Sequence, residues 1–178
     1  MAVTLKETVQ DFLTPREYLE DVFAINLDSL ENNGIKLLLI DVNNTIMPAE
    51  AEHPSLRIIH WFEQLKNYSF QTVLISGGWD KGRLAVIAKT LNVPVYYGLL
   101  KPALTAVKTI LAKYAVSPAE CVIVGDALWS DVLLAKLLGA YSILVKNCDQ
   151  PLELRGQISL LRRAKGLILE NIINNKIN

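Results

Sequence analysis

Five short apolar runs, separated by segments with helical periodicity, constrain the fold of this 178-residue chain more than any other feature. A run that is apolar at consecutive positions is typical of a strand buried on both faces, as in parallel sheets covered by helices. The runs span 36–42, 71–76, 94–97, 121–124 and 141–145. Because strands alternate with helices, the sequence predicts a Rossmann-like α/β fold with α/β/α layers around a mainly parallel sheet of about five strands.

The composition fits one globular domain with no nucleic-acid partner. Hydrophobic residues make up 51% of the chain and charged residues 20%, and 18 basic residues balance 18 acidic ones. A chain with no net charge has no overall field that attracts DNA or RNA. We expect a single domain over residues 1–178, with a core at about 34–148 and a C-terminal helical segment at about 152–174.

The N-terminal residues lack the apolar segment of a secretory signal, and no stretch reaches ~18 consecutive apolar residues. The distant Cys121 and Cys148, with two histidines, do not form a zinc motif and are interpreted as reduced thiols of a cytoplasmic protein. The C-terminal segment contains Arg162, Arg163 and Lys165 among apolar residues. Such a helix either lies on an anionic membrane as a peripheral contact or covers the sheet or a partner subunit. The oligomeric state stays open.

Polar residues that the core pattern does not explain follow the predicted strands. They are Asp41–Thr45, Ser76 with Gly77, Lys101, Asp126 and Asp131. In parallel sheets, ligands bind at the carboxyl ends of the strands. Two carboxylates at that edge repel each other unless a hard cation such as Mg²⁺ lies between them. A lysine, a serine and backbone N–H groups suit a phosphate, and a carboxylate can attack phosphorus. This combination predicts phosphoryl chemistry.

The same residues resemble the motifs of the haloacid dehalogenase-like (HAD) superfamily. Asp41–Thr45 followed by Ile46 looks like its D-x-D-x-T motif, and Ser76, Lys101 and Gly125-Asp126 with Asp131 resemble its second, third and fourth motifs. The resemblance extends from about residue 10 to about residue 148. Segments 12–18, 34–36, 125–132 and 138–144 are similar to the YqeG-like, phosphatidylglycerophosphate phosphatase-type branch.

The resemblance implies a role for each site residue in a Mg²⁺-dependent phosphomonoester hydrolase that works through an aspartyl-phosphate. Asp41 would be the nucleophile and a metal ligand. The Asn43 backbone carbonyl and Asp126 would be the other protein ligands of the metal. Asp131 would support that site from close by. The phosphoryl group would be bound by Thr45, Ser76, Gly77 and Lys101.

Position 43 departs from the family pattern, which usually has a second aspartate there. Asn43 cannot transfer a proton. General acid–base catalysis by a positioned side chain raises a reaction rate by roughly 10²–10⁴-fold, so turnover is expected to be slow. Three hypotheses remain. In the first, the chain is a phosphatase in which Glu50, Glu52 or His53 replaces the missing aspartate as the acid–base group, unless these residues form an ordinary solvated loop. It is instead a catalytically impaired protein that binds a phosphorylated ligand or a protein partner. In the third, position 43 was altered to trap a complex.

The spacing of the motifs predicts that the site is open. About 30 residues separate the first motif from Ser76 and about 25 separate Ser76 from Lys101, which core strands and helices of ordinary length fill. No separate cap domain is therefore expected. An open site suits a bulky phosphorylated substrate, such as a lipid phosphate, and a lipid substrate favours the membrane-contact hypothesis for the C-terminal segment.

Overall fold

The computed structural model describes residues 13–99 and 102–146. Lys101, Cys148 and the predicted C-terminal helical segment lie outside the described residues. The strands are β1 (Glu17–Leu19), β2 (Leu37–Asp41), β3 (Gln71–Ile75), β4 (Val95–Tyr96), β5 (Cys121–Gly125) and β6 (Tyr141–Val145). The α-helices are α1 (Leu27–Asn32), α2 (Leu56–Leu65), α3 (Lys81–Leu91), α4 (Leu104–Lys113) and α5 (Leu133–Leu138). Short 3₁₀ turns cover Val22–Ala24 and Pro118–Glu120, and one π-helical turn covers Leu128–Val132.

All strand pairs of the described sheet are parallel, in the order β1-β6-β5-β2-β3-β4. The order reverses at β2, whose neighbours β3 and β5 lead outward in opposite directions along the sheet. This reversal is a topological switch point, where open α/β sheets bind their ligands. The predicted Rossmann-like α/β fold is confirmed.

Strand β2 shows why the chain forms a sheet covered on both faces. All five of its residues are buried. Leu38 and Ile40 face one apolar cluster, which includes residues of α2 and α3. Leu37 and Leu39 face a second cluster, which includes residues of α4 and α5. Because successive side chains of a strand point to opposite faces, a strand between two helical layers must be apolar at every position.

The sequence analysis missed β1. β1 is short and half-exposed, and it pairs with β6 in the register Tyr18↔Leu144, so it carries little of the apolar signal that predicts a buried strand. Pro102 precedes α4, which begins at Leu104. The described sheet therefore has six strands where about five were expected.

The connections around β3 are short. The segment from β2 to β3 contains α2, the segment from β3 to β4 contains α3, and neither contains an inserted domain. Each helix has a side-chain cap, since Ser55 accepts the Ile58 N–H at 3.3 Å and Asp80 accepts the Arg83 N–H at 3.0 Å. Within residues 13–99 and 102–146, every helix is too short or too polar to cross a membrane.

Candidate active site

Asp41 is the last residue of β2, and its carboxylate is oriented by a hydroxyl four residues further on. Asp41 is 7% exposed and Thr45 is fully buried. The Thr45 hydroxyl donates a hydrogen bond to Asp41 Oδ2 at 3.1 Å. A hydrogen bond from a buried hydroxyl restricts rotation of the carboxylate, which leaves its position defined at the edge of the sheet.

A tight turn after Asp41 makes this contact with Thr45 possible. The Ile46 N–H donates to the Val42 carbonyl at 3.1 Å, and the Asn44 N–H donates to the Met47 carbonyl at 2.7 Å. Asn44 has a φ of 62°, in the left-handed region that asparagine tolerates better than most residues. The turn therefore reverses the chain and returns Thr45 to Asp41.

Ser76 and Gly77 follow β3 at the same edge. Ser76 is fully buried, and its Oγ accepts the Gly78 N–H at 3.1 Å. The Leu99 N–H donates to the Ser76 carbonyl at 3.1 Å, and a Cβ on Gly77 would lie 3.2 Å from the Leu99 carbonyl oxygen. The loop therefore packs closely against the chain that follows β4, and glycine at position 77 permits this approach.

Asp126 and Asp131 follow β5 on the other side of β2. Asp126 is half-buried and Asp131 is 2% exposed. Asp131 Oδ2 accepts the Ala127 N–H at 3.3 Å and the Ser130 hydroxyl at 3.0 Å. Its carboxyl group occupies the place where a side chain at Gly125 would be, since a Cβ there would lie 2.2 Å from Asp131 Cγ. Asp131 thus braces the loop that carries Asp126.

The structure brings most of the predicted site residues to one sheet edge. β2 pairs with β3 through Asp41↔Ile75 and with β5 through Ile40↔Val124, so Ser76 and Asp126 follow the strands on either side of Asp41. Among residues 13–99 and 102–146, no group of three or more His, Cys, Asp and Glu side chains could hold a metal ion. Two carboxylates and a backbone carbonyl still fit Mg²⁺, which takes oxygen ligands and keeps several waters.

Arg83, on α3, is a site residue that the sequence analysis missed. Its Nη1 donates to Asn43 Oδ1 at 2.8 Å. Its Nε and Nη2 donate to the carbonyls of Ala51 and Pro48 at 2.7 and 3.1 Å. A single arginine in a helix with other charged residues carries no sequence signal for such a contact, because only the folded β2–α2 connection provides these acceptors.

A cavity of about 490 Å³ lies beside this arginine. It is lined by Ala49, Glu50, Glu52, His53, Asp80, Arg83 and Val86. The three residues considered as substitute acid–base groups therefore share one cavity, and Arg83 connects its wall to Asn43. Their role in proton transfer stays a prediction.

Comparisons with known proteins agree with this fold. A family model described as HAD-hydrolase-like matches residues 99–153. The chain is 26% identical over 137 residues to the protein named "Probable phosphatase YqeG" of Bacillus subtilis, covering 77% of this chain and 79% of that protein.

Two solved structures share the fold. A haloacid dehalogenase-like family hydrolase from Xanthomonas campestris is 10% identical with a TM-score of 0.54, covering 66% of this chain and 84% of its own. A 3-deoxy-D-manno-octulosonate 8-phosphate phosphatase from Moraxella catarrhalis, solved in complex with a magnesium ion, a phosphate ion and a KDO molecule, is 16% identical with a TM-score of 0.51, covering 68% of this chain and 84% of its own. These two likenesses show the fold, and the family match over residues 99–153 and the B. subtilis relative make the chain similar to HAD-like hydrolases.

Proposed function

We propose that the chain is a Mg²⁺-dependent phosphatase that hydrolyses phosphomonoesters through an aspartyl-phosphate on Asp41. The observation that carries the proposal is the buried Asp41 carboxylate, oriented by Thr45, at the end of a central strand. Ser76 and Asp126 follow the neighbouring strands. The phosphatase class is that of the B. subtilis relative, by its name.

The reaction would proceed in two displacements at phosphorus. An Asp41 carboxylate oxygen attacks phosphorus as the ester P–O bond breaks, and the leaving oxygen departs as an anion that takes its proton from solvent water. Water then attacks phosphorus, breaks the aspartyl P–O bond and releases inorganic phosphate. Ser76 and the Gly77 N–H are proposed to hold the phosphoryl oxygens, as is Lys101, whose ammonium would balance their charge.

The metal would be held by Asp41, the Asn43 carbonyl and Asp126, with Asp131 bracing the loop of Asp126. When bound, Mg²⁺ supplies positive charge that neutralises the phosphoryl oxygens. The protein's own contribution would be to bring Asp41, which ends β2, and Asp126, which follows the neighbouring strand β5, to one edge of the sheet, where two negative charges favour a cation.

Asn43 sets the expected rate on different esters. An alkoxide departs poorly without a proton, and the Asn43 amide cannot give one. We expect detectable hydrolysis of nitrophenyl phosphate and very slow hydrolysis of alkyl phosphates. Asn43→Asp is expected to raise the rate on alkyl phosphates by about 10²-fold, and by less on the activated ester.

A second candidate function is supported by the contact between Asn43 and Arg83. The amide is engaged by the guanidinium at 2.8 Å, so position 43 contributes hydrogen bonds and no titrating group. A protein that binds a phosphorylated ligand or a protein partner without turnover would have such a site. An Asn43→Asp chain that is as inactive as the parent on every phosphate would favour this candidate.

We propose a bulky substrate, such as a phosphatidylglycerophosphate-like lipid phosphate, and a cytoplasmic protein in peripheral contact with a membrane. No domain is inserted around β3, so that side of the site stays open. Exposed apolar side chains follow β3, β4 and β5, namely Trp79, Tyr97, Leu128 and Trp129. Aromatic residues of this kind are favoured at membrane interfaces, where one end is apolar and the other wet.

The test is a phosphate-release assay with nitrophenyl phosphate, glycerol phosphate and phosphatidylglycerophosphate vesicles, with and without Mg²⁺. We expect release that requires Mg²⁺ and is lost in Asp41→Asn. Trp79→Ala with Trp129→Ala should lower the rate on vesicles but not on the soluble esters. Leu137→Ala is the matched control, because Leu137 is exposed at the other end of the sheet, in the last turn of α5. Equal losses on vesicles and soluble esters would contradict the lipid proposal.

A further inference from the structure

The three hydrogen bonds of Arg83 connect α3 to the segment that follows Asp41. Asp80 caps the helix by accepting the backbone N–H of Arg83 at 3.0 Å, which fixes where the arginine side chain leaves the helix. From there, all three guanidinium nitrogens donate to the 43–51 segment, at 2.7–3.1 Å. These are ordinary hydrogen-bond lengths, and together they hold the segment at several points.

This contact decides which way the Asn43 amide points. A guanidinium has donors and no acceptor, so the atom that Asn43 turns toward Arg83 must be its carbonyl oxygen. The amide nitrogen then lies on the opposite side of the group. The oxygen and nitrogen of an amide are nearly alike in shape, so shape alone does not assign them. Here the hydrogen bond from Arg83 assigns them, because it requires an acceptor.

The nitrogen side of the amide faces the loop that follows β3. A Cβ built on Gly78 would lie 3.6 Å from Asn43 Nδ2 and 3.3 Å from Ser76 Oγ. The amide N–H groups and the Ser76 hydroxyl therefore approach the same point of the chain from two elements. Ser76 is the residue to which the proposed function assigns phosphoryl binding.

We infer that Arg83 is a positioning residue that holds Asn43 Nδ2–H as a fixed hydrogen-bond donor to an oxygen of the bound phosphoryl group. Without the guanidinium, the amide can rotate by half a turn and present its carbonyl oxygen to the anion, which is repulsive. With it, the donor is oriented before the ligand binds, so no reorganisation is needed. The inference rests on the proposed function for the location of the phosphoryl group.

The test is a double-mutant cycle on Arg83→Met and Asn43→Ala. Three quantities are measured: the affinity for inorganic phosphate by calorimetry at saturating Mg²⁺, and kcat and KM for nitrophenyl phosphate and for glycerol phosphate. A hydrogen bond to a charged group predicts a loss of about 10- to 100-fold in phosphate affinity for each single variant. Because Arg83 acts through Asn43, the double variant should be no weaker than Asn43→Ala alone.

A purely structural role for Arg83 gives a different result. It predicts additive losses in the double variant, and that outcome would overturn the inference. An effect confined to esters with poor leaving groups, with phosphate affinity unchanged, would also overturn it. Arg57→Met is the matched control, because Arg57 lies over the Phe23 ring at 3.6 Å and is 60% exposed, and it should keep parental values.

The inference stays testable if Arg83→Met does not fold or if the parent chain is inactive. If Arg83→Met does not fold, Arg83→Lys takes its place in the cycle, since an ammonium keeps the charge but cannot reach all three acceptors and should give an intermediate loss. If the parent binds phosphate but hydrolyses no ester, the proposed function fails and the inference is decided by phosphate affinity alone. A parent chain that binds no phosphate refutes both.

Discussion

Replacing Gly125 by alanine should destabilise the fold because the carboxyl group of Asp131 already occupies that space. An added Cβ would lie 2.2 Å from Asp131 Cγ, 2.4 Å from Oδ2 and 2.5 Å from its Cβ. Ordinary contacts between carbon atoms are about 3.5–4.0 Å, so β5 or the π-helical turn must move by more than about 1 Å. Overpacking of this kind costs about 1–3 kcal/mol.

The displacement also disturbs the hydrogen bonds that Asp131 accepts from Ala127 N and Ser130 Oγ. Losing one bond to a buried carboxylate costs about 1.5–3 kcal/mol. Together the losses come to about 2.5–6 kcal/mol, against a typical free energy of unfolding of about 5–15 kcal/mol. Mg²⁺ affinity should fall as well, because the same turn follows Asp126.

Urea unfolding followed by circular dichroism measures the change, with Gly82→Ala as the matched control. Gly82 lies in α3, where a Cβ would make an ordinary 3.6 Å contact with Asp80 Oδ1. Alanine there should stabilise the chain by roughly 0.5–1 kcal/mol, since glycine is a poor helix former. A Gly125→Ala chain with the parental urea midpoint would refute the contact with Asp131 as described.

Three further outcomes are expected. Asp41→Asn should reduce phosphate release to the uncatalysed background while the urea midpoint stays near that of the parent, since asparagine can still accept the Thr45 hydroxyl; retained activity would exclude Asp41 as nucleophile. The bonds from Lys36 and Ser117 lower the pKa of Glu120 from 4.5 to about 2, so the stability they give is present above pH 4.5 and lost as the pH falls toward 2. Glu120→Gln should therefore be less stable than the parent at pH 7 and converge with it near pH 2 in urea titrations; a constant difference would contradict the ion pair. Burial raises the pKa of the Cys121 thiol to about 12, so maleimide labelling of that thiol should occur only after unfolding, as read by mass spectrometry of its peptide.

The sheet could be predicted because its strands are apolar at consecutive positions. Leu37–Asp41 and Cys121–Gly125 are buried along their whole length, and their mostly apolar residue types predict that burial. β1 could not be predicted, because Glu17–Leu19 is three residues long and its place depends on pairing with β6. Edge strands of this size are defined by a neighbour far away in sequence, which a local pattern does not contain.

The candidate site also contains residues that the sequence predicts and one that it does not. Asp41, Ser76 and Asp126 were predictable because Asp41 ends a strand and the other two directly follow strands, and parallel strands bring their carboxyl ends to one edge. Arg83 follows no strand, and its three acceptors arise from a loop 32–40 residues earlier in the chain.

The consequence is specific to position 43. From sequence alone, Asn43 is a residue that lacks a proton to give, whereas with Arg83 in place it is an oriented amide whose N–H groups face the Ser76 loop. Under the proposed function, asparagine in place of aspartate at position 43 would remove proton transfer but leave a fixed hydrogen-bond donor, so the site would release its alcohol slowly and still bind the phosphoryl group.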